Sequence, residues 1–257
     1  MQIFIGIWVF IIGACIGSFL NVVIIRGLKN EQFVKGPSHC TTCDYILKWY
    51  DNIPIISYII LGGKCRNCHK HISLQYPIVE ALTAIAWLLI YLRLGLNIKA
   101  ILYMIVTASM IVISVVDIKI QEIPSTHQLI ILICGIINLA TGGIAIKSAI
   151  AGLLTIPALL LIMFIIVLFV FSIESIGMGD IKLEAVIGLL IGLKPAVTSF
   201  YLGCIVALIV HSLLRIIKVK GFETNRLPFG PYLCFGAYIA MLYGTEIADK
   251  ALTLMGY

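Results

Sequence analysis

Ile176-Gly177-Met178-Gly179-Asp180-Ile181-Lys182 follows an apolar run, Ser148 to Phe171, that is long enough to cross a bilayer. A carboxylate so placed is costly: insertion scales put Asp at a membrane-helix centre at roughly 2.5 to 3.5 kcal/mol, and less near the interface. The flanking Gly177 and Gly179 remove side-chain bulk and permit backbone angles that other residues resist. They are expected to let a second backbone, such as a substrate in extended form, come close to Asp180. Another acid closes another apolar run in the same manner, in Val115-Val116-Asp117-Ile118-Lys119-Ile120-Gln121-Glu122-Ile123-Pro124. Asp117 and Asp180 are therefore the candidate pair around which the chain is organised.

Composition supplies the setting. Hydrophobic residues make up 61% of the 257 and charged residues 12%, where a soluble domain carries about 25% charged. Mean hydropathy is +1.11. This predicts an all-α polytopic membrane protein. The formal charge of +6 is not a nucleic-acid signature, because the charges cluster in particular loops. No nucleic-acid partner is expected, and lipid is the surrounding medium. The first apolar run, Ile3–Ile25, is too long for a signal-peptide core and lacks a basic leader and a small-x-small cleavage site. It reads as a retained first helix.

Seven further runs follow: Ile78–Leu94, Ile98–Val116, Gln128–Thr141, Ser148–Phe171, Leu183–Leu193, Ala196–Leu214 and Gly230–Tyr243. The total is about eight transmembrane helices, of which the fourth, sixth and eighth fall short of the ~20 residues of a full span. Lys194-Pro195 argues for a break between the sixth and seventh, since Pro removes a helix hydrogen bond and restricts its predecessor. With the Arg26–Ser73 loop placed in the cytoplasm and the runs alternating, the cytoplasmic side carries thirteen of the Lys and Arg residues and the other side five. That split fits the positive-inside rule. Both termini are then outside, and both aspartates lie at cytoplasmic helix ends.

The one long polar stretch, Lys29 to Gln75, divides the chain into a first transmembrane helix (1–28), a cytoplasmic four-cysteine domain (29–75) and a membrane bundle (76–257). Turn residues punctuate it at Gly36-Pro37, Asp51-Asn52 and Gly62-Gly63. Cys40-x-x-Cys43 and Cys65-x-x-Cys68 offer four thiolates, which suits a structural zinc ion, with iron or a redox pair as the other readings. Cytoplasmic placement disfavours disulfides. The metal would fold a small lid with little core of its own. His39, His69 and His71 are expected at the surface, and Cys15, Cys134, Cys204 and Cys234 as packing residues.

Two carboxylates held close cannot easily both ionise. They share a proton, so one takes a proton from water while the other donates to a carbonyl oxygen. That chemistry hydrolyses a peptide bond with neither metal nor covalent intermediate. Paired intramembrane acids also serve ion and proton pathways, so an ion-coupled transporter is the alternative. Spacing and composition alone do not separate the two, and each Asp can also simply sit at a wet interface or cap a helix. Glu122, Glu174 and Glu184 are expected to be interface or helix-start charges, and Lys119 and Lys182 to anchor helix ends.

With these residues in place, the sequence resembles the bifunctional prepilin leader peptidases, the type IV prepilin peptidases of pilus, type II secretion and competence systems. The resemblance rests on Gly17-Ser18-Phe19-Leu20-Asn21 through Arg26, on the two cysteine pairs, and on Trp49-Tyr50-Asp51-Asn52-Ile53-Pro54 between them. It continues in Ile72-Ser73-Leu74-Gln75-Tyr76-Pro77-Ile78-Val79-Glu80, in Gly177-Met178-Gly179-Asp180, a GxGD motif, and in Leu227-Pro228-Phe229-Gly230-Pro231-Tyr232. It implies cleavage of prepilin or pseudopilin leaders after a glycine at the cytoplasmic face of a bacterial inner membrane, with Asp117 and Asp180 catalytic and the four cysteines on zinc. It also implies methylation of the new N-terminal amine by S-adenosylmethionine. Many members carry Asp after the Ile-Pro that follows the first aspartate, where this chain has Ser125.

The methyl donor has no glycine-rich strand-to-helix fingerprint here. The candidate residues are Asn21, Gly63, Lys64 and Glu80, the polar and turn positions facing the knuckle; each also reads as a helix-end charge or turn residue.

Overall fold

The computed structural model describes residues 1–29, 38–40, 42–171, 177–217 and 228–256. Glu174, Ile176, Leu227, the Gly36-Pro37 turn, and Lys35, Lys218, Lys220 and Arg226 of the charge count lie outside them. The helices are α1 (Gln2–Leu28), α2 (Ile56–Ile60), α3 (Gln75–Leu94), α4 (Ile98–Ile120), α5 (Ser125–Ala140), α6 (Ile146–Phe171), α7 (Met178–Ile191), α8 (Leu193–Ile216) and α9 (Gly230–Leu254), with a 3-10 turn at Trp49–Asn52. Among the described residues there are only two isolated β-bridges, His39 with Ile46 and Lys64 with His71. Five helices, α1, α3, α4, α6 and α8, are long and apolar enough to cross a membrane. The chain is a multi-pass membrane protein. The runs expected to be short became α5, α7 and α9, none of which meets that measure of length and hydropathy.

The chain divides into two compact units, Met1–Ala100 and Ile101–Tyr257. In the first, α1 and α3 run antiparallel with their backbones nearly touching. A Cβ on Gly13 would lie 2.9 Å from Ala84 Cα, and one on Gly17 would lie 2.6 Å from Glu80 Cα. Lipid offers no hydrophobic drive for helix pairing, so small residues four apart earn association through close packing. Polar bonds close the seam at both ends: Tyr91 Oη donates to Gln2 O at 3.2 Å, and Asn21 Nδ2 donates to Tyr76 O at 3.2 Å.

In the second unit α7 is gripped from two sides. Against α6 it runs antiparallel, with Gly152 and Gly188 in backbone contact. Ile156 and Leu160 of α6 pack on Ile181. Against α5 it runs parallel, held by Gln128 Nε2 donating to Gly179 O and Asn138 Nδ2 donating to Leu190 O, both at 2.9 Å. Antiparallel α8 and α9 meet at Gly203 and Gly236. The break between α7 and α8 falls at Gly192, not at Lys194-Pro195 as the sequence suggested. Gly192 has φ +84°, and Pro195 sits inside the first turn of α8, where its missing N–H would have had no helical partner in any case.

Candidate active site and metal centre

α4 runs to Ile120, past the apolar run that ends at Val116, so Asp117 lies in its final turn. The Gln121 N–H still bonds Asp117 O at 2.9 Å, and Gln121 then leaves the helix at φ +56°. Asp180 lies in the first turn of α7, its N–H donating to Gly177 O at 3.0 Å. The two side chains line one cleft of about 360 Å³, together with Gln121, Glu122, Ser125 and Lys182. Asp117 is buried, and its Oδ2 accepts the backbone N–H of Gly230 at 2.9 Å. In the sequence Gly230 stands out only as part of the Leu227–Tyr232 family segment. Its partnership with Asp117 had no local signal.

Gly177 and Gly179 also line the cleft, and of the two expected reasons only the lack of side-chain bulk applies. Neither has a positive φ. Space is what they provide: a Cβ on Gly177 would lie 2.9 Å from Asp180 Oδ2, and one on Gly179 would lie 3.1 Å from Ile123 Cβ. The room beside Gly179 is taken by Ile123 of the α4–α5 link. Ser125 opens α5 on the cleft wall.

Glu184 departs from its expected place. It is not an interface charge but is fully buried, one turn beyond Asp180, and neither carboxyl oxygen has a hydrogen-bond partner among the described residues.

The four cysteines form one group whose sulfurs all lie within 4.8 Å of one another. Cys40 and Cys68 are 3.9 Å apart, and Cys43 and Cys65 are 4.0 Å apart. A tetrahedron of thiolates at the usual Zn–S length of about 2.3 Å has edges of about 3.8 Å, so the group fits such an ion. The two knuckles repeat one backbone pattern. Cys40 N–H bonds Tyr45 O and Cys65 N–H bonds Lys70 O, each at 2.9 Å; Asp44 N–H bonds Cys40 O and His69 N–H bonds Cys65 O, each at 3.0 Å. Asp44 and His69, at equivalent positions, both have positive φ. His39, His69 and His71 are exposed, as expected.

The Tyr45 N–H, aimed at the Cys43 sulfur, lowers that thiol below its ordinary range, and the Asn67 amide adds to this. For Cys68 the Lys70 N–H acts the same way, but burial and the neighbouring sulfurs outweigh it and push the thiol up to about 11. A cation reverses that penalty, because thiolates bind metal deprotonated. Asp51 ties the knuckles together: its carboxylate accepts Arg66 Nε at 2.9 Å and the Lys48 N–H at 3.2 Å. The bond to Asp51 raises the Arg66 pKa, and the guanidinium lies 5.1 Å from the Tyr50 ring centre.

The structure brings two of the four methyl-transfer candidates to the α1–α3 seam. Asn21 is buried, donating to Tyr76 O and Gly17 O and accepting from Gln75 Nε2. Glu80 Oε2 accepts the Ile55 N–H at 2.7 Å, and Ile55 has the positive φ that a β-branched residue resists. Gly63 (φ +68°) makes room for Tyr58 Oη, and Lys64 is exposed beside it.

Two family domains match the chain, one within each compact unit. The Bacterial Peptidase A24 N-terminal domain matches residues 11–94, and the Type IV leader peptidase family matches residues 104–212. The prepilin leader peptidase/N-methyltransferase of Pseudomonas putida is 28% identical over 96% of this chain and 93% of its own length. That of Bacillus subtilis (strain 168) is 29% identical over 93% and 94%. The type 4 prepilin-like proteins leader peptide-processing enzyme of Escherichia coli O78:H11 is 33% identical over 90% and 91%. No solved structure matches the chain. Two matched domains in the family's order, and relatives aligned nearly end to end, lead to one conclusion: the chain belongs to the type IV leader peptidase family.

Proposed function

We propose that this protein cleaves the leader peptide of type IV prepilins and methylates the new N-terminal amine. The observation that carries the peptidase reading is the meeting of Asp117 and Asp180, from opposite helix ends, in one cleft. In that cleft the aspartates share a proton. One accepts a proton from the attacking water as the other donates to the scissile carbonyl oxygen; on breakdown the first passes its proton to the leaving amine nitrogen and the second takes one back from a hydroxyl of the tetrahedral intermediate, which restores the shared proton. The Gly230 N–H fixes Asp117 Oδ2, leaving Oδ1 for the water. Gly177 keeps the wall beside Asp180 free of side-chain bulk, where an extended substrate can approach. The site faces the cytoplasm of the inner membrane, which the Lys and Arg asymmetry of the loops supports. Nothing in the structure favours an ion-coupled transporter.

Zinc on Cys40, Cys43, Cys65 and Cys68 holds the insert together; the support is the near-tetrahedral spacing of the sulfurs. S-adenosylmethionine, when bound, supplies an electrophilic methyl on a sulfonium. Asn21, Gly63, Lys64 and Glu80 border the methyl-transfer site, with Glu80 the carboxylate able to complement positive charge.

The test is mass spectrometry of a prepilin incubated with membranes carrying this protein, with and without S-adenosylmethionine. Cleavage after glycine that vanishes in both Asp117→Asn and Asp180→Asn, with a methyl's mass added on the new N-terminus, is the expected result. Cleavage at the wild-type rate by either variant overturns the dyad.

A further inference from the structure

α2 is a single helical turn turned inside out. Ile56, Ile59 and Ile60, at spacings that share one helix face, are 54%, 70% and 73% exposed. The opposite face holds Tyr58, whose hydroxyl donates to Ile72 O at 3.5 Å and packs on Gly63. The cysteine domain thus grips α2 by its polar side and presents its apolar side outward. The 3-10 turn that packs on α2 opens with Trp49, 80% exposed. Large apolar side chains so grouped mark an interaction surface.

The occupant follows from how the domain is tethered. Its two ends are the ends of two membrane-crossing helices, α1 at Leu28 and α3 at Gln75. The exposed stripe of α3, Ile78, Leu82, Ile85 and Leu89, continues without interruption to exposed Leu74 of the domain itself. An exposed apolar stripe on a helix able to cross a membrane suits lipid acyl chains, which would leave the domain at the bilayer surface with apolar residues leading out to it. Tryptophan is the side chain most suited to the headgroup layer. Lys64 and Lys70, both exposed, match anionic headgroups.

We propose that the cysteine domain lies against the headgroup layer of the membrane that its own helices span, with Ile56, Ile59, Ile60 and Trp49 seated in that layer. The anchoring keeps the insert flat on the bilayer, where the apolar segment of a membrane-bound peptide substrate also emerges.

The experiment uses the full chain in nanodiscs containing anionic lipid. Trp8→Phe and Trp87→Phe leave Trp49 as the sole tryptophan of the three. Lipids brominated near the headgroup should quench Trp49 at least twofold more than lipids brominated near the chain end, and acrylamide should quench it weakly. Adding Ile59→Ser and Ile60→Ser should raise acrylamide quenching at least twofold while metal content stays unchanged, separating loss of anchoring from loss of fold. Strong acrylamide quenching with no bromine effect overturns the proposal. So does protection that appears only on adding a prepilin, which assigns the face to substrate, or only in discs holding two copies, which assigns it to self-association.

Discussion

The Gly230 N–H and Asp117 Oδ2 meet at 2.9 Å across 113 residues of chain. The bond joins the last turn of α4 to the first residue of α9, so α9 positions half of the candidate dyad without contributing a side chain to it. A Cβ at Gly230 would lie 2.8 Å from the same oxygen and 3.2 Å from Asp117 Cγ. Gly230→Ala is therefore expected to displace the carboxylate and lower the cleavage rate by about 10²-fold, the scale of a small misplacement of a catalytic group. Methylation of an already cleaved substrate should be unchanged. Parallel assays on full-length and cleaved prepilin check both halves.

Cleavage should show a bell-shaped pH profile. At low pH both carboxyls are protonated and no base remains for the water. At high pH both are ionised and no acid remains for the carbonyl, so the rate peaks where the pair holds one proton. The two limbs belong to the pair, not to either residue. A rate of kcat/KM still rising above pH 9 would count against a shared proton.

Removing a thiolate should cost the metal. Cys40→Ser leaves Cys68 without its partner at 3.9 Å, and elemental analysis of the purified variant should show metal lost from the protein. Methyl transfer should fall at least as far as cleavage. Asp51→Asn tests the same centre from outside, since it weakens the bond to Arg66 between the knuckles. It should retain metal but release it faster to a chelator.

Glu184 is a stability liability. A fully buried carboxyl with neither oxygen bonded among the described residues forfeits its solvation without compensation. Glu184→Leu should stabilise the protein by about 1–3 kcal/mol, read as a rise in melting temperature in detergent. If cleavage falls in the same variant, the carboxyl one turn beyond Asp180 is kept for activity at the expense of stability.

The helices and the four-cysteine cluster were legible because their signals are local. Apolar length announces a span, and two Cys-x-x-Cys pairs announce a ligand set at whatever separation folding then closes. The two aspartates were legible because a carboxylate ending an apolar run is costly wherever it goes. What could not be read was set by tertiary contact. Gly230 serves Asp117 through its backbone N–H, which any residue type but Pro possesses. Gly177 and Gly179 suggested both missing bulk and unusual backbone angles, and only the distances to Asp180 and Ile123 show that the bulk decides. Glu184 follows the helix N-terminus closely enough to pass for a favourable charge, and only packing shows that it is enclosed. Lys194-Pro195 reads as the α7–α8 break because proline is the stronger local breaker, but proline is tolerated in a first turn and Gly192 supplies the left-handed angle.

Gly152 and Gly188 leave no gap between the backbones of α6 and α7, and Gln128 and Asn138 pin α7 to α5 at both of its ends. Asp180 accordingly stands on a fixed jaw. A polypeptide reaching it can part neither seam, since each would first have to give up backbone packing or a bond to a helix carbonyl. The remaining wall is the Gln121–Pro124 link, whose Ile123 side chain packs over Gly179.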